Sequence, residues 1–322
     1  MKRIISLAII LITGYQIYSQ DLVVIEYDGG DLQEFLDGVP DSSLVKFPDI
    51  HMTYEQTLVI QHKKHVTFDF GGFRLHAKTT GEQVTPIPRR AHKWPRSRSH
   101  LVIHQSSNIS IRNLNIVGPH ENGGVSEAAY NKNYEAQHAL EILGSKHVII
   151  DSSSFVKIYG DGIYIGANSN NIKITNSAIR KNGRQGIAIV NGHNIEIASN
   201  ELSDIRRAHI DLECNADGDR IENIIIRNNT FHRKRLMWIA AASGKGVVTN
   251  VRVENNSLTC PASIYVGNRK GNSQRQGPYY FIGNQTSKPY GNPQGAIWKI
   301  RNVDGFYAQD NYIIGQPNRN MY

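Results

Sequence analysis

The stretch Asn171-Ile-Lys-Ile-Thr-Asn176 decides the fold, because the chain repeats it. It recurs as Asn108-Ile-Ser-Ile-Arg-Asn113, His147-Val-Ile-Ile-Asp-Ser152, Asn194-Ile-Glu-Ile-Ala-Ser199, Asn223-Ile-Ile-Ile-Arg-Asn228 and Asn250-Val-Arg-Val-Glu-Asn255. A weaker copy lies at His65–Phe70, and degenerate ones near Tyr279–Asn284 and Phe306–Asn311. Each copy alternates apolar and polar residues, with Ile172 and Ile174 on one face and Lys173 on the other, the period of a half-buried strand. A second strand precedes it in several repeats: Gly162-Ile-Tyr-Ile165, Gly186-Ile-Ala-Ile189 and His209-Ile-Asp-Leu212. Self-similarity at roughly 20–50 residues without a helical pattern fits an all-β solenoid of parallel sheets, two or three strands per coil. A coil cannot bury its own apolar face, but coils stacked at about 4.8 Å bury a continuous one. The recurring turn residues Asn113, Asn176, Asn228 and Asn255, with Ser152 and Ser199, are expected to stack as a ladder that satisfies the corner.

The ends of the repeat region read differently. Lys2 and Arg3, then the apolar run Ile4–Ile12, then Tyr18-Ser19-Gln20 follow the order of an export signal. Residues 1–19 are therefore expected to be a signal peptide and 20–322 one domain, secreted or periplasmic. No later segment is long and apolar enough for membrane insertion to be expected. Gly30–Asp37 reads as a short amphipathic helix with Asp31 as N-cap, capping the open end of the solenoid. The chain has 322 residues, a formal charge of +8 and two cysteines. Two cysteines exclude a disulfide-stapled scaffold. Cys214 and Cys260 are expected unpaired, because Cys214 follows the outward Glu213 and should point inward. The basic balance favours an anionic partner. Export and the lack of a recognition module argue against nucleic acid. The oligomeric state is not encoded in these patterns.

The runs Asp31-Leu-Gln-Glu-Phe-Leu36, Thr57-Leu-Val-Ile60 and Val66-Thr-Phe-Asp-Phe-Gly-Gly72 resemble the opening of right-handed parallel β-helix proteins of the pectate-lyase-like superfamily. Gly160-Asp-Gly-Ile-Tyr-Ile-Gly166, Asn182-Gly-Arg-Gln-Gly-Ile-Ala188 and Asp211-Leu-Glu213 resemble a secreted bacterial and phage-associated group within it. The resemblance implies right-handed coiling from residue 21 to about 315. It also implies a reaction drawn from lyases, hydrolases and epimerases, or a non-catalytic adhesin. The polygalacturonase signatures Asn-Thr-Asp, Asp-Asp and Gly-His-Gly are missing. Gly192-His193-Asn194 is the nearest approach to the last of these, and no pectate-lyase calcium-and-arginine block is present.

Stacking the first strands by their inward residues sorts the outward ones. Glu141, Tyr164, Ala188, Asp211 and Trp238 form one column, and Leu143, Gly166, Val190, Glu213 and Ala240 the next. His138, Asp161 and Gln185 lie one corner earlier, with Arg184 and Arg207 beside them. Asp211 and Glu213 share a face about 6.7 Å apart at Cα. That spacing is compatible with the roughly 6.5–9.5 Å between the acid and base of an inverting glycosidase. The same pair would also serve as a surface row facing Arg206 or Arg207, or as oxygen ligands of a calcium ion. Asp161 reads either as a turn residue bonding its own backbone or as a group approached closely by ligand between two glycines. No two histidines show a metal-ligand spacing.

The reading taken forward is a polysaccharide-acting glycoside hydrolase without an organic cofactor. Asp211 and Glu213 are its acid and base, and Asp161 assists. His138, Arg184, Gln185 and Arg207 position substrate, with Tyr164 and Trp238 as stacking platforms. On this reading Arg184→Ala mainly raises KM. A β-eliminating lyase on a uronic-acid polymer and a non-catalytic glycan-binding solenoid are the alternatives.

Overall fold

A computed structural model describes residues 5–7, 22–78, 98–214, 216–232, 235–241, 246–258, 264–268, 274–286, 298–301, 303–313 and 316–320. The chain is a right-handed parallel β-helix in which each coil gives one strand to each of three sheets. In one coil these strands are Leu140–Leu143, Lys146–Asp151 and Ser154–Val156. The third is only three residues long, too short to show a period in sequence. Among the described residues the three sheets hold nine, twelve and eleven strands respectively.

Leu140–Leu143 pairs in parallel with Ile163–Gly166, and pairing continues through Ile187–Ile189 and Ala208–Leu212 to Arg235–Ala241. This is the coil order expected from the repeats. Leu140, Ile163, Ile187 and Ile210 occupy one register position and are fully buried. The twelve-stranded sheet sends Val148, Ile172, Ile195 and Ile224 inward in the same way. β-Branched side chains suit this stack, since they pack well on a pleated surface.

The corner between the twelve- and eleven-stranded sheets corrects the expected ladder by one residue. Asn113, Ser152, Asn176, Ser199, Asn228 and Asn255 all have left-handed backbones, with φ between 50° and 58°. Asn tolerates that region better than most residues, which accounts for its recurrence there. The bend turns these side chains outward and the following ones inward. The buried ladder is therefore Ser153, Ser177, Asn200, Asn229, Asn256, Asn284 and Asn311. Asn229 Oδ1 accepts from the Asn200 backbone N–H at 2.9 Å, and its Nδ2 donates to the Ile197 carbonyl at 2.9 Å.

At the N-terminal end Leu32–Asp37 is helical, and Asp31 Oδ1 accepts from the Glu34 N–H at 2.8 Å. Leu32 and Leu36 enter the common core with Phe47 and Phe73. Gln33 donates to the Val59 carbonyl at 2.9 Å and accepts from its N–H at 2.7 Å. Val59 belongs to Leu58–Gln61, the edge strand of the nine-stranded sheet, so the amide occupies backbone groups that would otherwise face an open edge. The segment expected to be an export signal lies outside the described residues except Ile5–Leu7, which pairs antiparallel with Leu22–Glu26. Cys214 is a buried free thiol that donates to the Val247 carbonyl at 3.4 Å, while Cys260 lies outside the described residues.

Candidate active site

Register places the outward residues of the nine-stranded sheet side by side: Glu141, Tyr164, Ala188, Asp211 and Trp238. Trp238 holds the position next to Asp211, and its side chain lies outside the described residues. Glu213 continues the ladder just past its strand, its N–H donating to the Ile189 carbonyl at 2.8 Å. The corner before the sheet stacks His138, Asp161 and Gln185. Ala139 N–H donates to the Asp161 carbonyl at 3.0 Å, and Gly162 N–H to the Gln185 carbonyl at 3.1 Å. Sheet and corner thus bring Asp161, Asp211 and Glu213 into one network.

Arg184 is the centre of that network. Its Nη1 donates to Asp161 Oδ2 at 2.6 Å, and its Nη2 lies 3.7 Å from Glu213 Oε2. Gln185 links the other acid: its backbone N–H donates to Asp161 Oδ1 at 3.0 Å, and its Nε2 donates to Asp211 Oδ2. Its Oε1 accepts from the Ala208 N–H at 2.8 Å, so the amide is engaged at both ends. His138 Nδ1 accepts from the Asp161 N–H at 3.0 Å and stands 3.2 Å from Asp161 Oδ2. The His138 ring stacks on Tyr164, with centroids 4.7 Å apart. Burial pushes the Asp161 carboxyl above its ordinary value, against the opposing pull of Arg184, the Gln185 N–H and Arg207. Burial acts to lower the Arg184 guanidinium, but the charges of Asp161, Asp211 and Glu135 outweigh it and hold it above its usual value.

The structure brings together the residues expected from sequence, but not as an exposed face. Asp161 and Gln185 are 0% exposed, Asp211 1% and Glu213 5%, while the Arg184 side chain keeps 17%. An outward position on this sheet is not a solvated one, because corner side chains fold across it. Gln185 and His138 therefore act on the carboxylates rather than standing open to substrate. Asp161 anchors Arg184. Arg207 N–H donates to the Arg184 carbonyl at 3.0 Å and brings its charge near Asp161. His138 contacts Asp161 and Tyr164. Glu141, visible in the outward column but left out of the expected site, is buried and accepts from Ser99 Oγ at 2.7 Å.

Sequence reading missed a strap. Residues 118–139 leave the coil path and run along the corner over the following coils. Two 3-10 turns, Glu127–Ala129 and Lys132–Tyr134, shape the strap. His120 N–H donates to the Lys157 carbonyl at 2.9 Å, and Glu127 pairs with Arg206. The Arg206 guanidinium lies 4.7 Å from the centre of the Tyr130 ring, and the Tyr130 hydroxyl donates to Glu135. Glycine permits the close approach: a Cβ on Gly123 would stand 1.9 Å from the Lys181 carbonyl oxygen, and one on Gly183 2.7 Å from that of Ala129. The Gly-rich spacing of the corners was the available signal.

Among the described residues no three or more His, Cys, Asp or Glu side chains are grouped to hold a metal ion. No described helix is long and apolar enough to cross a membrane. A groove of 710 Å³ lies on the twelve-stranded sheet, lined by Ile149, Ile225 and exposed asparagines. Asn194 Nδ2 donates to Asn170 at 3.2 Å, and Asn223 Nδ2 to Asn194 at 3.0 Å. This groove is on a different sheet from the carboxylate network, which remains the better candidate because Arg184 and Gln185 tie three acids together there.

Residues 99–277, more than half of the chain, match the family described as right handed beta helix region. No curated protein matches the chain in sequence. Among solved structures, the endo-xylogalacturonan hydrolase from Aspergillus tubingensis is similar at 10% identity and a TM-score of 0.61, over 90% of this chain and 92% of that one. The alginate lyase from Paenibacillus sp. is similar at 13% identity and a TM-score of 0.55, over 87% of this chain and 94% of that one. The Streptococcus pneumoniae surface protein and adhesin PfbA gives 11% identity and a TM-score of 0.55, over 91% of this chain and 87% of that one.

Proposed function

The chain belongs to the right-handed β-helix family, and we propose that it is an exported glycoside hydrolase acting on a polysaccharide. One observation carries this reading: Asp211 and Glu213, two residues apart on one side of the nine-stranded sheet, are both tied to Asp161, Glu213 through the guanidinium of Arg184 and Asp211 through Gln185. Glycosidic hydrolysis needs a carboxylic acid to protonate the leaving oxygen and a carboxylate to take a proton from the attacking water. Asp211 and Glu213 divide those two roles. Arg184 holds them apart in charge, and Asp161, backed by His138, holds Arg184. Tyr164, partly exposed in Asp211's column, is the aromatic surface a sugar ring would meet. No organic cofactor enters this chemistry. A hydrolase and a lyase of polysaccharides among the similar structures support a carbohydrate substrate. Lys2, Arg3 and the apolar run after them support export.

The cations Arg184 and Arg207 favour one second reading, β-elimination on a uronic-acid polymer, in which they would neutralise the substrate carboxylate. A panel of neutral and uronic polysaccharides, read for new reducing ends and for ultraviolet absorbance of unsaturated ends, separates the two. Reducing ends without unsaturation support hydrolysis, and unsaturated ends support the lyase. Binding without turnover on every polymer would leave a glycan-binding solenoid.

A further inference from the structure

The strap borders a second, open cavity that the proposed chemistry does not use. It has a volume of 510 Å³ and is bounded by Pro119–Asn122 of the strap's outgoing arm, by Tyr130–Lys132 of its return, and by Tyr159 of the next coil. Its aromatic walls are held in place. The His120 and Tyr159 rings stack with centroids 4.1 Å apart, and the Tyr130 ring is pinned by Arg206. His120 is fixed further by its Nε2 contact with the Ala129 carbonyl at 2.6 Å. Around these rings stand Asn122, Asn131 and Lys132, groups that bond hydroxyls, while Glu121 is already paired with Lys157. Fixed aromatic surface with a few convergent polar groups is the composition of a site for a ligand that has both C–H faces and hydroxyls. The cavity also adjoins the carboxylate network. Its wall abuts the residue before Arg184: a Cβ on Gly183 would stand 2.7 Å from the Tyr159 carbonyl oxygen and 3.0 Å from the His120 ring.

We propose that this cavity is a flanking subsite that holds one pyranose unit of the polymer cleaved at Asp211 and Glu213. The inference rests on the hydrolase reading and adds to it a place where chain length is sensed. Asn122 and Lys132 are exposed rim residues, so their replacement leaves the coil stack untouched. Binding energy from a remote sugar that is equal in ground and transition states appears in KM and not in kcat.

The test takes the polymer the parent cleaves from a panel of pectin, alginate, xylan and β-glucan, and a graded series of its oligosaccharides. Asn122→Ala with Lys132→Ala should raise KM about tenfold on the long members, leave kcat unchanged, and leave the shortest cleavable member unaffected. Affinity of the same oligosaccharides for Glu213→Gln, with and without the rim substitutions, should show the same length dependence. Unchanged KM and affinity across the series, with the parent still cleaving, overturns the subsite while the hydrolase reading stands. A parent that neither binds nor cleaves any polymer overturns both.

Discussion

Arg184 reaches Asp161 through one guanidinium nitrogen and Glu213 through the other, so its loss would leave two buried carboxylates without the cation they share. Removing one partner of a buried pair costs about 3–5 kcal/mol. Arg184→Ala should lower the unfolding free energy by that order in denaturant titration, and Arg184→Lys should recover only part, since an ammonium cannot fork to two acids. This replaces the sequence-based expectation of an effect mainly on KM; unchanged stability would restore it. Asp161 gives a signed pH dependence. Its carboxyl is raised by burial from 3.8, so its stabilising contribution is complete below that value and lost as pH rises through the folded value. Asp161→Asn stays neutral throughout, so its stability relative to wild type should improve as pH rises above 3.8. A difference that does not change with pH would show that burial is not acting on the charge. His100 works in the opposite sense. Burial, helped by the Arg98 charge, lowers it from 6.5 to about 3, so stability is lost as pH falls through that window. His100→Gln should flatten the acid limb by up to one proton, about 1.4 kcal/mol per pH unit. An acid limb that overlays the wild type would contradict this.

Within the elements, neighbouring asparagines have opposite duties. Asn228 is exposed with φ 56°, and Asn229 is buried in the ladder. Asn228→Gly should be nearly neutral, and Asn228→Ala should cost about 1 kcal/mol for the left-handed backbone. Asn229→Ala orphans the Asn200 N–H and the Ile197 carbonyl, each worth about 1–3 kcal/mol when buried. Paired thermal and denaturant unfolding would check the contrast, and equal costs would refute it. The repeated Asn column was legible in sequence, but the one-residue offset was not. Alternation tells which face a strand residue takes, and it breaks at a left-handed bend. The strands were legible for the same reason, since Ile163, Ile187 and Ile210 hold one period across coils. Asp211 and Glu213 could be placed on a common face by that period. Their depth could not, because it depends on how Arg184 and Gln185 fold across the face.

Across the whole molecule, the site is spread over successive coils, with His138, Asp161, Arg184 and Asp211 each from a different one. A parallel solenoid can do this because every coil repeats the same address a strand spacing further along. Residues far apart in sequence become neighbours without any long-range loop, and the strap runs along the corner beside them. We propose that this face hydrolyses glycosidic bonds through Asp211 and Glu213. The most direct measurement is the rate of reducing-end release by the parent, Asp211→Asn and Glu213→Gln on the polysaccharide the parent cleaves, with circular dichroism to verify folding. The account predicts reducing ends without unsaturated product, and a fall of about 10²–10⁴-fold in folded amide variants. Folded amide variants that keep the parent's rate, or a parent product that absorbs as an unsaturated sugar, would contradict it.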